Sequence, residues 1–120
     1  HYAADQERSL QATNKLYFGF DRYDISEENR KVLYAHAKKL LEDPSLTVRI
    51  EGHADRRGSR EYNLALGERR ANAAKQVLRL KGVDDSRIVV VSYGKEKPAD
   101  LSDTESAFAK NRRDVIVYED

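Results

Sequence analysis

A chain of 120 residues can bury one hydrophobic core but not two comfortable ones, so a single domain is expected. Its 22 Lys+Arg against 21 Asp+Glu leave a net charge of +1, which offers no excess cation to a nucleic-acid backbone or an anionic membrane, and no nucleic-acid partner is expected. The lack of cysteine excludes a disulfide framework and thiolate metal sites, and no apolar run reaches the ~20 residues that span a bilayer.

Residues 1–14 are polar and show no sustained apolar period, the pattern of a tail or the end of a linker, so the domain is expected to occupy residues 15–120. From residue 16 to 20, Leu16, Phe18 and Phe20 alternate with Tyr17 and Gly19, the period of two that marks a half-buried strand. Ser26 followed by Glu27 and Glu28 is an N-cap with carboxylates at the positive end of a helix dipole. The helix it opens carries Val32/Leu33, His36/Ala37 and Leu40/Leu41 at four-residue spacing. It stops near Asp43, because Pro44 cannot continue the ladder.

Alternation resumes over residues 46–53, with Leu46, Val48 and Ile50 on one face and Thr47, Arg49 and Glu51 on the other, so one sheet face is expected to be wet. After a loop at Gly58, Ser59 caps a second helix whose buried side takes Leu64, Ala71, Ala74, Val77 and Leu78. Gly82 followed by Val83, which can touch Leu78, is the signature of a Schellman ending. Residues 88–91 are β-branched throughout and predict a well-covered, more central strand. A loop holding Pro98, one or two helical turns over residues 103–110 and a last strand over residues 115–118 complete the order βαβαββ. Two apolar helix stripes and one polar sheet face predict an α+β two-layer sandwich, with two main helices on one face of a four-stranded mixed sheet.

Little in the chain points to catalysis or metal. Of the three histidines, His1 is in the tail, His36 is within an apolar helix stripe, and His53 ends a strand with only Asp55 nearby, so neither a metal site nor a cofactor is expected. His53 reads as a strand-end hydrogen bonder. Ser59 lacks the glycines of a strained nucleophile elbow and is explained as a cap. Arg69, Arg70, Lys75, Arg79 and Lys81 form a basic helix face, but Glu61 and Glu68 interrupt it and no aromatic residues are interleaved for stacking. The best candidate site is the stretch from residue 51 to 71. Tyr62, Leu66 and Arg70 recur every four residues and make one stripe that can face the loop carrying Asp55. A carboxylate and a guanidinium sharing one edge serve either as a structural salt bridge or as a receptor for a zwitterion.

Several separated segments also carry a resemblance. Tyr17-Phe-Gly-Phe-Asp-Arg-Tyr-Asp-Ile25, Glu51-Gly-His-Ala-Asp-Arg-Arg-Gly58, Glu61-Tyr-Asn63, Leu66-Gly-Glu-Arg-Arg-Ala-Asn72, Ser92-Tyr-Gly-Lys-Glu-Lys-Pro98 and Asn111-Arg-Arg113 together resemble the OmpA C-terminal-like family over about residues 16–118. The resemblance implies a non-catalytic periplasmic domain of Gram-negative bacteria that binds the meso-diaminopimelate stem peptide of peptidoglycan without a covalent bond. It also implies a TolB-like periplasmic propeller as protein partner, with such a partner as the chief ligand in the alternative reading. The outer membrane would be reached only through a lipidated N-terminal cysteine, which this sequence does not contain. By position, Asp55 and Arg70 match the family's principal ligand contacts, Phe20 and Asp21 match residues flanking the pocket, and Asn63 and Leu66 match residues that shape it. The chemistry is coherent, because the diaminopimelate side chain ends in an ammonium and a carboxylate. An acceptor-only anion and a forked cation complement both, and a lysine in place of Arg70 would lack the fork.

Overall fold

Both long helices begin at a serine whose hydroxyl accepts a backbone N–H of the first turn: Asn29 to Ser26 and Tyr62 to Ser59, each at 3.1 Å. The computed structural model describes residues 2–119, and the chain order is α1 (Tyr2–Ala12), β1 (Lys15–Tyr17), α2 (Glu27–Glu42), β2 (Thr47–His53), α3 (Arg60–Leu80), a 3-10 turn (Asp85–Arg87), β3 (Ile88–Gly94), α4 (Glu105–Asn111) and β4 (Arg113–Glu119). The helix α3 ends as its glycine foretells. Gly82 has φ 104, its N–H reaches Arg79 O at 2.9 Å, and the Val83 N–H reaches Leu78 O at 3.1 Å. Val83 and Leu78 are both buried, which closes the apolar contact of the motif.

The sheet order is β1-β4-β2-β3, with β4 antiparallel to both neighbours and β2 parallel to β3. Val48, Ile50, Ile88 and Ile116 project from it into one core with Leu33, Ala37 and Leu40 of α2 and Ala71, Ala74 and Leu78 of α3. The two-layer α+β sandwich on a four-stranded mixed sheet is therefore the architecture found.

Three local readings change. The strand β3 is an edge strand, paired only with β2, and Val89 is exposed. Its β-branched run reflects one face packed under α3 and a parallel partner reached by a helical crossover, and coverage on both sides is absent. The two central places belong to β2 and to β4, and the short apolar run near the C-terminus did not suggest the latter. In the stretch read as a polar tail, Tyr2–Ala12 forms α1, with Leu10 packed against the core and the Gln11 amide donating to Ala35 O at 3.2 Å. One half-buried leucine in three turns is too sparse a signal to show as a period. His1 lies outside the described residues. The first strand also stops at Tyr17, so Phe20 sits in the loop after it, 60% exposed.

One close approach positions everything that follows. A Cβ placed on Gly52 of β2 would lie 1.7 Å from Gly67 O of α3, and one on Gly67 would lie 2.4 Å from Ser92 Oγ. Helix and strand thus touch backbone to backbone, which sets Arg70, one turn past Gly67, over the end of β2. Gly52→Ala should cost about 3 kcal/mol or more, since the clash is with a helix carbonyl and no side chain can move aside. Urea unfolding of the variant against wild type measures it; a loss below about 1 kcal/mol would mean that the approach is slack.

Candidate ligand-binding site

The loop of residues 54–58 leaves the end of β2 and is tied down by two side chains. Asn63 Nδ2 donates to Arg57 O at 2.9 Å and to Ser59 O at 3.0 Å, and Lys95 Nζ donates to Gly58 O at 2.6 Å. Gly58 has φ 98, a left-handed turn that favours glycine. Asp55 points inward from this loop and is buried. Its Oδ1 accepts the Arg57 backbone N–H and Nε–H, both at 3.0 Å, its Oδ2 accepts Arg57 Nη2–H at 2.8 Å, and Arg112 Nη1 lies 3.5 Å from Oδ2. Burial pushes the carboxyl up, but the Arg57 side chain and backbone N–H, with Arg112, hold it below its ordinary value, so it is an anion at neutral pH.

Arg70 reaches from α3 across the same space and is wholly buried. Its Nε–H donates to Arg22 O at 2.8 Å, Nη1–H to His53 O at 2.8 Å and Nη2–H to Gly19 O at 3.1 Å, while the Phe18 ring lies 5.3 Å from the guanidinium carbon. One side chain thereby joins the turn after β1 to the end of β2. Burial lowers its pKa to about 10, which leaves it cationic at neutral pH. Among the described residues no carboxylate approaches it within the 4.0 Å of an ion pair. Asp114 lies near it in the core, where burial raises that carboxyl well above its ordinary value and the Arg70 charge acts to lower it. The structural salt bridge that was one of the two readings of Asp55 and Arg70 is thus not formed; Arg57 takes the carboxylate, and Arg70 takes carbonyls.

Asp55 and Arg70 nevertheless face one cavity of about 210 Å³, and Phe20, Asp21, Asn63 and Leu66 line it with them. Leu66 is a buried apolar wall, and Phe20 stands at the rim. Asp21 adopts φ 57, and its carboxylate accepts the Tyr62 hydroxyl across the mouth. Asn63 works through the loop, where both of its amide bonds go to backbone carbonyls. Arg57, Gly58 and Tyr62 complete the lining. Arg57 was not nominated from the sequence, although a second arginine two residues after Asp55 in a glycine-ended turn was the available signal. With Asp21 and Asp55 against Arg57 and Arg70, the lining is charge-balanced. The imidazole of His53 does not bond as a strand end would. Neither ring nitrogen has a hydrogen-bond partner among the described residues, the Glu51 carboxylate standing 3.8 Å from Nε2; burial and nearby Arg113 bring its pKa down to about 4, and only its backbone carbonyl serves the site.

Residues 17–112 match the OmpA family. The chain is 52% identical over 108 residues to the peptidoglycan-associated lipoprotein of Haemophilus influenzae, covering 90% of this chain and 71% of that protein. The crystal structure of the peptidoglycan-associated lipoprotein from Burkholderia pseudomallei superposes with a TM-score of 0.90 at 42% identity, over 92% of this chain and 93% of that one. The C-terminal domain of Helicobacter pylori MotB shares the fold, with a TM-score of 0.83 at 20% identity over 91% of this chain and 86% of the other. The chain belongs to the OmpA family.

Arg70→Lys tests the bracket on its own terms. An ammonium cannot span three carbonyls on two segments, so folding stability should fall by about 2 to 4 kcal/mol. Thermal or urea unfolding reads this directly, and an unchanged midpoint would show that the three bonds are dispensable.

Proposed function

We propose that this domain binds peptidoglycan without a covalent bond and reads the zwitterionic end of the meso-diaminopimelate stem peptide. The observation that carries this reading is the cavity itself: a buried anion and a buried cation face one space, and the cation is bonded only to neutral groups. Two of the five N–H donors of Arg70 are not used by those three carbonyls. A ligand carboxylate would supply the counter-charge that the protein withholds, and a ligand ammonium would complement Asp55. Relatives at up to 52% identity are named peptidoglycan-associated lipoproteins, which supports the same ligand and a place in the periplasm on an outer-membrane lipid anchor. In this role the domain links the outer membrane to the wall as part of the Tol-Pal system, as a binding domain and not an enzyme.

A TolB-like periplasmic protein is the second partner in this proposal. Phe20 and Tyr62, which line the cavity, are 60% and 46% exposed, aromatic surface of the kind that anchors protein interfaces. Sedimentation with protein-free peptidoglycan separates the two roles, because a pure protein adaptor stays in the supernatant.

Calorimetry with three matched stem peptides, carrying diaminopimelate, its amide or lysine, tests the site. The first should bind roughly 5- to 150-fold more tightly, since the others leave a desolvated guanidinium without a counter-charge. Asp55→Asn should weaken the first by roughly 10- to 150-fold while circular dichroism shows a folded domain. Equal affinities of wild type for all three peptides would remove Arg70 from recognition, and full binding by Asp55→Asn would remove Asp55.

A further inference from the structure

Both oxygens of Asp55 are already engaged by the same side chain. Arg57 holds Oδ1 through Nε at 3.0 Å and Oδ2 through Nη2 at 2.8 Å, and it covers a carboxylate that is itself only 5% exposed. Its guanidinium lies in a slot between two aromatic rings, 4.4 Å from the centroids of both Phe20 and Phe108. A second acceptor stands at the other end of this slot. Glu105 Oε2 is 3.8 Å from Arg57 Nη1, and the Glu105 side chain is 70% exposed, with its other oxygen on Arg112. Arg112 bridges the two carboxylates, with Nη1 3.5 Å from Asp55 Oδ2 and 3.2 Å from Glu105 Oε1, while its Nε is fixed on Phe18 O at 2.9 Å. A carboxylate released by the Arg57 side chain would therefore keep the Arg57 backbone N–H and Arg112.

We infer that Arg57 is a specificity gate on Asp55: the ligand ammonium reaches the carboxylate by exchange with the Arg57 guanidinium, which slides along its aromatic slot toward Glu105. This rests on the site being the receptor for the diaminopimelate zwitterion. The exchange trades one charge-assisted contact for another, so a ligand with a cation at that end loses little. A ligand with a neutral group there cannot displace a bidentate guanidinium and is refused. Every ligand that displaces Arg57 gives up the same contact, and only one that brings its own cation restores it, so the exchange screens for charge at that end.

Arg57→Met keeps an unbranched stem between the rings and removes the guanidinium. It should bind the diaminopimelate stem peptide roughly two- to fivefold more tightly than wild type, the range expected when an ion pair whose cation is partly solvated no longer competes. Glu105→Gln should weaken binding of the same peptide by a similar factor in wild type, and should have no effect in the Arg57→Met background. Weaker or unchanged binding by Arg57→Met would show that Arg57 positions Asp55 and does not gate it. Glu105 is exposed, so its variant folds whatever Arg57→Met does, and unchanged binding by Glu105→Gln overturns the exchange by itself. If Asp55→Asn binds the peptide as wild type does, the receptor reading fails first, and the two failures are told apart by that control.

Discussion

The guanidinium of Arg70 is bonded to Gly19 O, Arg22 O and His53 O, and the rest of the site depends on that one bracket. The three carbonyls belong to the turn after β1 and to the last residue of β2, segments that share no strand pairing with each other. The bond to His53 O is buried, Gly19 O also accepts the Arg22 backbone N–H at 3.2 Å, and a single planar fork serves all three acceptors. The fork itself is placed by the contact of Gly52 with Gly67, which brings α3 down onto β2 at backbone distance. Without side chains at those two positions, helix and strand fix the height of Arg70 above the sheet.

The charges around the cavity divide into a pair that is mutually satisfied and a cation that is not. Asp55 and Arg57 neutralise each other at 2.8 to 3.0 Å. Arg70 has hydrogen-bond partners but, among the described residues, no carboxylate within ion-pair distance, and burial holds the nearby Asp114 carboxyl well above its ordinary value. A buried cation in that position is expensive unless something brings charge to it. The same geometry thus stabilises the loops and leaves an electrostatic demand directed at the cavity, and this is the physical ground for the proposed carboxylate recognition.

Much of the fold was written in side-chain pattern. Ser26 and Ser59 cap where they should, Gly82 and Val83 end α3 as the motif requires, and the alternation of Leu46, Val48 and Ile50 marks which face of β2 meets the helices. What pattern could not show was pairing. The run of residues 88–91 is equally suited to an edge under a helix and to a central place, and only the antiparallel insertion of β4 decides between them. Within the site, the four-residue stripe of Tyr62, Leu66 and Arg70 correctly pointed at the loop of Asp55. It could not reveal that Arg70 would bond to carbonyls, because backbone acceptors leave no mark on the sequence. Arg57 was hidden for a related reason: a bidentate contact between residues two apart depends on the turn set by Gly58, and not on any periodicity.

The central claim is that one arginine both builds the site and presents charge to it. Side-chain nitrogen NMR of Arg70 tests this most directly, since its Nε–H and Nη–H groups report separately. The Nε–H should exchange slowly with and without a stem peptide, because its bond to Arg22 O is structural, and the Nη signals should move when the diaminopimelate peptide is added but stay in place with the lysine peptide. Rapid exchange at Nε, or Nη signals indifferent to the diaminopimelate peptide, would contradict the account.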